Sequence, residues 1–126
     1  MLHGQAQQAN KTILVVEDEP DIGSFLTEAI LQETPYQIVL VKDGPHALQV
    51  IKEITPDLLI TNFRLPSMNG IELYDRLHAI QGLEAVPTIM VSARLPHQEL
   101  THRNIVGISK PLDLDELLST VDQLLA

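Results

Sequence analysis

Five short apolar runs, each too brief to make a helix, alternate along the chain with segments of helical periodicity. The runs are Thr12–Val16 (TILVV), Gln37–Val41, Leu58–Ile60, Pro87–Val91 and, most weakly, Ile105–Ile108. Such runs, bounded by turn-forming residues, read as strands buried on both faces. Strands of this kind separated by helices specify a parallel sheet with helices covering both sides. The 126 residues suit one domain with a sizeable core. With only two Tyr, two Phe and no Trp, that core must be aliphatic.

The intervening segments carry the expected punctuation. Pro20 is favoured at a first helical position, and Ile22, Phe25, Leu26, Ala29 and Ile30 follow at amphipathic spacing. Thr34-Pro35 ends that pattern. Asp43-Gly44-Pro45 opens a second helix whose Ala47, Leu48, Ile51 and Ile54 share a face. A third helix begins near Ile71, with Ile71, Tyr74 and Leu77 inward. Leu95 to Arg103, interrupted by Pro96, leaves room for a short fourth helix at most. Leu95, Leu100 and Ile105 are expected in the core. The fifth helix is the clearest. Asp113 and Glu116 resemble a capping box with Asp in place of Ser or Thr, and the apolar stripe is Leu114, Leu117, Leu118, Val121 and Leu125. Met1–Asn10 is rich in Gln and Ala without periodicity and reads as a flexible tail, so the domain is 11–126. The chain ends with the fifth helix, and the reading includes no attached output domain.

Seventeen acidic residues against eight basic ones give a net charge of −9. That disfavours nucleic acid, whose phosphates are bound by Lys and Arg. The absence of cysteine excludes disulfides and thiolate metal sites. No apolar run approaches the roughly 18 residues of a spanning helix, and the first ten residues lack the apolar core of a signal peptide. No membrane association is expected, and a soluble, cytoplasmic domain is the default.

The chemistry concentrates in Pro56–Gly70, PDLLITNFRLPSMNG. Its strand ends at Asn62, and a loop of turn-forming residues follows. In an open α/β sheet, the carboxyl end of a central strand faces the crevice where ligands bind. Glu17-Asp18-Glu19 follows the first strand, Ser92 the fourth, and Lys110-Pro111 the fifth. Each has an ordinary structural explanation as well. Carboxylates are favourable at a helix N-terminus, Ser92 can shape a turn, and Asn62 can donate its amide to the acidic pair. Lys110 can be solvated, although its place at a strand end favours pairing with Asp18 or Glu17. The five histidines show no metal-ligand pattern and are taken as surface residues.

Four separated stretches, ILVVEDEP, VKDGPHAL, DLLITNFRLPSMNG and MVSA with SKP, occur in the order and spacing of one family. From about Lys11 to Ala126 the chain resembles a response-regulator receiver domain of two-component signalling. The resemblance implies a flavodoxin-like three-layer sandwich with strand order 2-1-3-4-5 and a shortened fourth helix. It also implies an acidic pocket: Glu17 and Asp18 for Mg²⁺, completed by the Arg64 backbone carbonyl, with Ser92 and Lys110 for phosphoryl oxygens. The phosphoacceptor position is Asn62, where the family has Asp.

That departure has a chemical consequence. Phosphoryl transfer onto a side chain needs an oxyanion nucleophile, and an amide oxygen is a poor one. Mg²⁺ prefers hard oxygen ligands, so a Mg²⁺ site is possible but weakened by the lost carboxylate. Two like charges about 4 Å apart repel by roughly 4 kcal/mol at an effective dielectric of about 20, so Asn62 also relieves strain in an unliganded pocket. A second departure is Gly107, which stands where receivers carry the aromatic residue that reports phosphorylation. Ser92 and Lys110 are only 18 positions apart, a few fewer than usual, and the deficit falls on the fourth helix. The resemblance with these departures implies a non-enzymatic pseudo-receiver of the phosphorelay type, acting through contact with a histidine kinase or an output protein, with a homodimer possible. Two other readings stand beside it. One is a switch driven by phosphorylation at Thr61, Ser67 or Ser92, or by a small ligand. The other is a flavodoxin-fold enzyme or electron carrier, opposed by Glu17-Asp18-Glu19 where a flavin phosphate would lie.

Overall fold

A computed structural model describes residues 11–126; the expected tail at Met1–Asn10 lies outside the described residues. The elements run β1 (Thr12–Val16), α1 (Pro20–Glu33), β2 (Gln37–Val41), α2 (Gly44–Val50), β3 (Leu58–Asn62), α3 (Gly70–His78), β4 (Thr88–Ser92), α4 (His97–Arg103), β5 (Val106–Ser109) and α5 (Leu114–Leu125). The five strands form one parallel sheet in the order β2-β1-β3-β4-β5. The expected flavodoxin-like architecture, with a short fourth helix, is therefore the one observed.

Alternation along each strand divides the core into two layers. Ile13 and Val15 of β1, Leu58 and Ile60 of β3, and Ile89 and Val91 of β4 face α1 and α5, meeting Leu26, Ile30, Leu117, Val121 and Leu125. Leu14, Val16 and Leu59 face the other way, onto Ala47 of α2 and Leu73 and Leu77 of α3. Met90 meets Ile71, Leu100 and Ile105 beneath α4. Fully burying one such aliphatic side chain contributes about 1.5–3 kcal/mol, which is why the continuous apolar runs settle as central strands.

Local signals account for the helix boundaries. Pro20 lies in the first turn of α1, and the Thr34 N–H and hydroxyl both donate to the Ile30 carbonyl at its end. The Asp113 carboxylate accepts from the Asp115 and Glu116 amides to cap α5. The reciprocal capping box belongs instead to α3, where Asn69 accepts from the Glu72 amide and donates its own amide to Glu72 Oε1. Asn69 is not Ser or Thr, which hid this box in the sequence.

Three expectations need correction. Phe25 is 56% exposed, because Gly23, Leu26 and Ile30 take the inward face of α1. Ile54 lies beyond α2, which ends at Val50 in a short turn. His78 is half-buried rather than a free surface residue. Its ring stacks on Tyr74 at 3.7 Å between centroids. Nδ1 and Nε2 lie 2.8 and 2.7 Å from the Tyr74 and Val86 carbonyls, tying α3 to the segment before β4.

The short α4 is held to α3 by one guanidinium. Arg103 Nε and Nη2 donate to the two oxygens of Asp75 at 2.7 and 2.9 Å, and Nη1 donates to Glu99 Oε2 at 2.7 Å. The Tyr74 hydroxyl donates to the Arg103 carbonyl at 2.6 Å. The hydrogen bonds from Arg103 hold the Asp75 carboxyl below its ordinary pKa despite a smaller opposing effect of burial. A lowered carboxylate pKa gives stability that is fully present above the ordinary aspartate range and is lost as pH falls through the lowered value. Because Asp75 is half exposed, solvent screening limits the pair to about 1 kcal/mol or less. Asp75→Asn is expected to lower the thermal midpoint slightly at neutral pH and to flatten its decline in acid. Parallel melts of both proteins across the acidic range check this, and identical acid profiles would remove the ion pair from the account.

Candidate functional site at the strand ends

The chain crosses from β1 to β2 on one side and returns to β3 on the other, so β1 and β3 flank the point where the sheet reverses direction. Carboxyl strand ends at such a point face a crevice. Glu17 follows β1, Asn62 ends β3, Ser92 ends β4, and Lys110 follows β5 by one residue. Register aligns them: Thr61 pairs with Val16, Asn62 with Val91, and Ser92 with Ser109. They line a cavity of about 400 Å³ with Asp18, Glu19, Arg64, Val91, Ala93 and Arg94. All six site residues read from the sequence, scattered from 17 to 110, are thus brought together.

Gly70 helps to position Asn62. Its amide donates to the Phe63 carbonyl at 2.7 Å. A Cβ here would stand 2.5 Å from the Asn62 carbonyl oxygen and 2.9 Å from Met90 Cε. The close approach of α3 to the end of β3 therefore requires a residue without a side chain. Ser67, in the left-handed region at φ 73°, turns the intervening loop.

The side chains are arranged by hydrogen bonds rather than by ion pairs. Asn62 is 7% exposed, and its Nδ2 donates to Asp18 Oδ1 at 3.4 Å. Glu17 is 4% exposed, and its Oε2 accepts from the Glu19 amide at 3.1 Å. The Ser92 hydroxyl donates to the Arg94 carbonyl and accepts from the Arg94 amide, both at 3.1 Å. Ser92 thus shapes a turn while remaining part of the wall. The expected pairing of Lys110 with Asp18 or Glu17 is not formed: Lys110 is exposed, and the ion pairs among the described residues involve His46 and Arg103 only. At an exposed position the hydration of an ammonium competes with pairing, and Glu17 Oε2 already accepts from the Glu19 amide.

Two cations escaped the sequence reading. Arg94 lines the cavity, as does Arg64, of which only the backbone had been considered. The signal was available, since both lie two residues beyond a strand end. Glu17, Asp18 and Glu19 are therefore balanced by Arg64, Arg94 and Lys110, leaving a formally neutral wall. A divalent cation wants several hard oxygens gathered on one point, whereas this wall offers one carboxylate already engaged, Glu17, two exposed ones, Asp18 and Glu19, and an Asn62 amide that directs its N–H₂ to Asp18. Among the described residues no group of three or more His, Cys, Asp or Glu is arranged to hold a metal ion. The donor set fits Mg²⁺ poorly.

The space beside Gly107 is also filled. A Cβ on Gly107 would meet Leu100 Cδ1 at 2.7 Å and Leu95 Cδ1 at 3.0 Å. Leu95 and Leu100 thus occupy the space beside β5 into which a larger residue at 107 would extend. Both pack on the cluster beneath α4, as expected for core residues. Of the hydroxyls considered as modification sites, Thr61 is buried and donates to the Asn62 carbonyl at 2.9 Å, while Ser67 is exposed.

The model of the response regulator receiver domain matches residues 13–122, and the chain belongs to that family. It is 27% identical over 117 residues to the hybrid signal transduction histidine kinase D of Dictyostelium discoideum, covering 90% of this chain and 7% of that protein. It is 31% identical over 115 residues to protein Rrf1 of Nitratidesulfovibrio vulgaris, covering 90% and 82% respectively. Among solved structures, the signal receiver domain of an HD domain-containing protein from Pseudomonas fluorescens Pf-5 superposes with a TM-score of 0.80 at 28% identity, covering 93% of this chain and 88% of that one. The chain thus spans a small part of the histidine kinase and most of Rrf1. It is a receiver domain of two-component signalling.

Replacing Asn62 by Asp turns a hydrogen-bond donor to Asp18 into a like charge. The repulsion is about 1 kcal/mol at 4 Å in water and about 4 kcal/mol at an effective dielectric of 20; with Asp18 exposed, a loss of about 1–2 kcal/mol is expected. Asn62→Asp should therefore lower the melting temperature in chelator and tighten Mg²⁺ binding by calorimetric titration. Unchanged metal affinity would contradict the second half. Gly107→Tyr is expected to cost about 1–3 kcal/mol by overpacking, measured by urea denaturation, with partial recovery in Gly107→Tyr/Leu100→Ala.

Proposed function

We propose that this receiver domain is a docking module of a two-component pathway that is not switched by phosphorylation at the usual strand-end position. The observation that carries this is Asn62. It occupies the end of β3, buried and hydrogen-bonded to Asp18, and offers no carboxylate to attack a phosphoryl group. In this reading Glu17 and Asp18 are the remnant of the acidic pocket, with the Arg64 carbonyl as a third, weak metal ligand. Ser92 and Lys110 retain the positions that would hold phosphoryl oxygens. The filled space beside Gly107 supports the same conclusion from the output side, because a reporting side chain has neither an atom nor room there.

Partners in this reading are proteins of the same signalling class, a histidine kinase or an output protein. The histidine kinase D and Rrf1 matches support that class without naming the partner. The domain itself has no catalytic role in this proposal. Among the described residues no helix is long and apolar enough to cross a membrane.

A specific observation favours one second reading. Ser67 is exposed in a left-handed turn on the loop that leads from Asn62 to α3, so a phosphate there would alter the rim of the cavity. Thr61, being buried, is a poorer candidate for the same role.

Incubation with acetyl phosphate and Mg²⁺, followed by intact-protein mass spectrometry, tests the main proposal. The chain is expected to gain no phosphoryl mass, while Asn62→Asp gains one. An acid-stable, alkali-labile acyl phosphate on the unsubstituted chain would overturn it.

A further inference from the structure

A neutral imidazole ring carries one N–H, whereas an imidazolium carries two. His78 stands where that difference counts. It is the last residue of α3 and is half-buried. Its Nδ1 lies 2.8 Å from the Tyr74 carbonyl oxygen, one turn back on the same helix. Its Nε2 lies 2.7 Å from the Val86 carbonyl oxygen, on the segment that enters β4. Both partners are acceptors with no proton to give. A neutral ring serves one carbonyl and turns a nitrogen lone pair on the other, and no tautomer or ring flip supplies a second N–H. Only the cation donates at both ends.

The surroundings favour the same state. The C-terminal end of a helix carries partial negative charge that stabilises a cation in its last turn. The Tyr74 ring stacks on His78 with 3.7 Å between centroids, and an aromatic face attracts a cation. The Asp75 carboxylate is close enough to feel the His78 charge. Arg103 of α4, the cation best placed to oppose it, is bonded to Asp75 and Glu99. On the segment between α3 and β4, Glu84 is exposed and accepts from the Gly82 amide. Arg76, in the last turn of α3, is also exposed. Helix α2, which packs on α3, carries His46 as its one titratable group, and that ring is bonded to Asp43.

Tyr74 carries the arrangement further. Its hydroxyl donates to the Arg103 carbonyl at the end of α4, so the ring that covers the imidazole also anchors that helix.

We propose that His78 is a proton-operated clamp. As the imidazolium it ties the end of α3 to the entrance of β4; loss of the proton releases one carbonyl and slackens the Tyr74 anchor of α4. The clamp gives the domain a response to pH between about 5 and 8 that needs no phosphoryl group. Folding takes up a proton at His78. The stabilisation is therefore complete in acid, where the unfolded chain's histidine is charged as well, and is lost as pH rises and the clamp's proton leaves. Nothing in the clamp involves Asn62, so it stands or fails apart from the docking reading.

Urea denaturation of the chain and of His78→Gln, from about pH 5.5 to about pH 8.5, spans the range in which histidine titrates. Asp75 stays ionised throughout, and His46 is common to both proteins. The ratio of their unfolding constants is expected to shrink by about tenfold over that range, the contribution of one hydrogen bond to a charged group. His102→Gln is the control, since His102 is exposed in the last turn of another helix; its ratio should change far less. Ring ¹⁵N shifts of the unsubstituted chain should show both His78 nitrogens protonated at about pH 7, where a histidine of the urea-unfolded chain is mostly neutral. The Val86 and Arg103 amide shifts should move as that proton leaves, and should not do so in His78→Gln. A ring with a single N–H at neutral pH, a ratio that ignores pH or is matched by His102→Gln, or an Arg103 amide indifferent to the titration would each overturn the proposal. The ring shifts need no variant, so they decide the matter even where His78→Gln does not fold.

Discussion

The structure depends on β3 being paired on both sides, with β1 and β4, and covered on both faces. Leu58, Leu59 and Ile60 have essentially no solvent exposure, and this burial fixes the strand to within a fraction of a residue. A one-residue slip in register would send every side chain to the opposite face, into a layer already filled. The position of Asn62 beside Asp18 is therefore a consequence of aliphatic packing several residues away. The cavity is where this rigid construction ends and polar side chains must find partners among themselves.

That arrangement explains how one amide alters the site without altering the fold. The backbone at the end of β3 is held by Gly70 and Phe63, not by the side chain at position 62. The pocket can accept a change of charge while the sheet remains as it was. With Arg64 and Arg94 also on the wall, the carboxylates are balanced locally, and the need for an external cation falls. The same economy appears at Gly107, where two leucines take up the volume a large residue would have used. In the docking reading proposed above, both features hold the domain in one conformation.

Much of this was legible in the residues. β1 and β2 fall on the segments expected from their apolar runs, and the remaining strands differ by a residue or two at their ends. The proline and aspartate signals placed the starts of α1 and α5, and the strand-end positions of Glu17, Asn62, Ser92 and Lys110 followed from the motifs. Other features were not legible. The outward turn of Phe25 depends on which side of α1 the sheet lies, and periodicity could not separate it from its neighbours on a broad stripe. The half-buried His78 depends on carbonyls eight residues ahead and four behind in sequence. The missing Lys110 ion pair depends on hydration and on a competing amide, neither of which sequence spacing encodes.

The sequence by itself determined the alternation of strands and helices, the parallel character of the sheet, and the absence of a carboxylate at position 62, because these follow from local apolar patterning and residue identity. Only the tertiary structure decided that the side chains of Arg64 and Arg94 join Lys110 on the wall of the acidic pocket, that Leu95 and Leu100 fill the space at Gly107, and that the acids of α1 and α5 take no part in an ion pair among the described residues. The physical reason is distance. Electrostatic balance and steric exclusion act between groups a few ångströms apart in space, and in this fold those groups lie from seven residues apart (Leu100 and Gly107) to 93 apart (Glu17 and Lys110) along the chain.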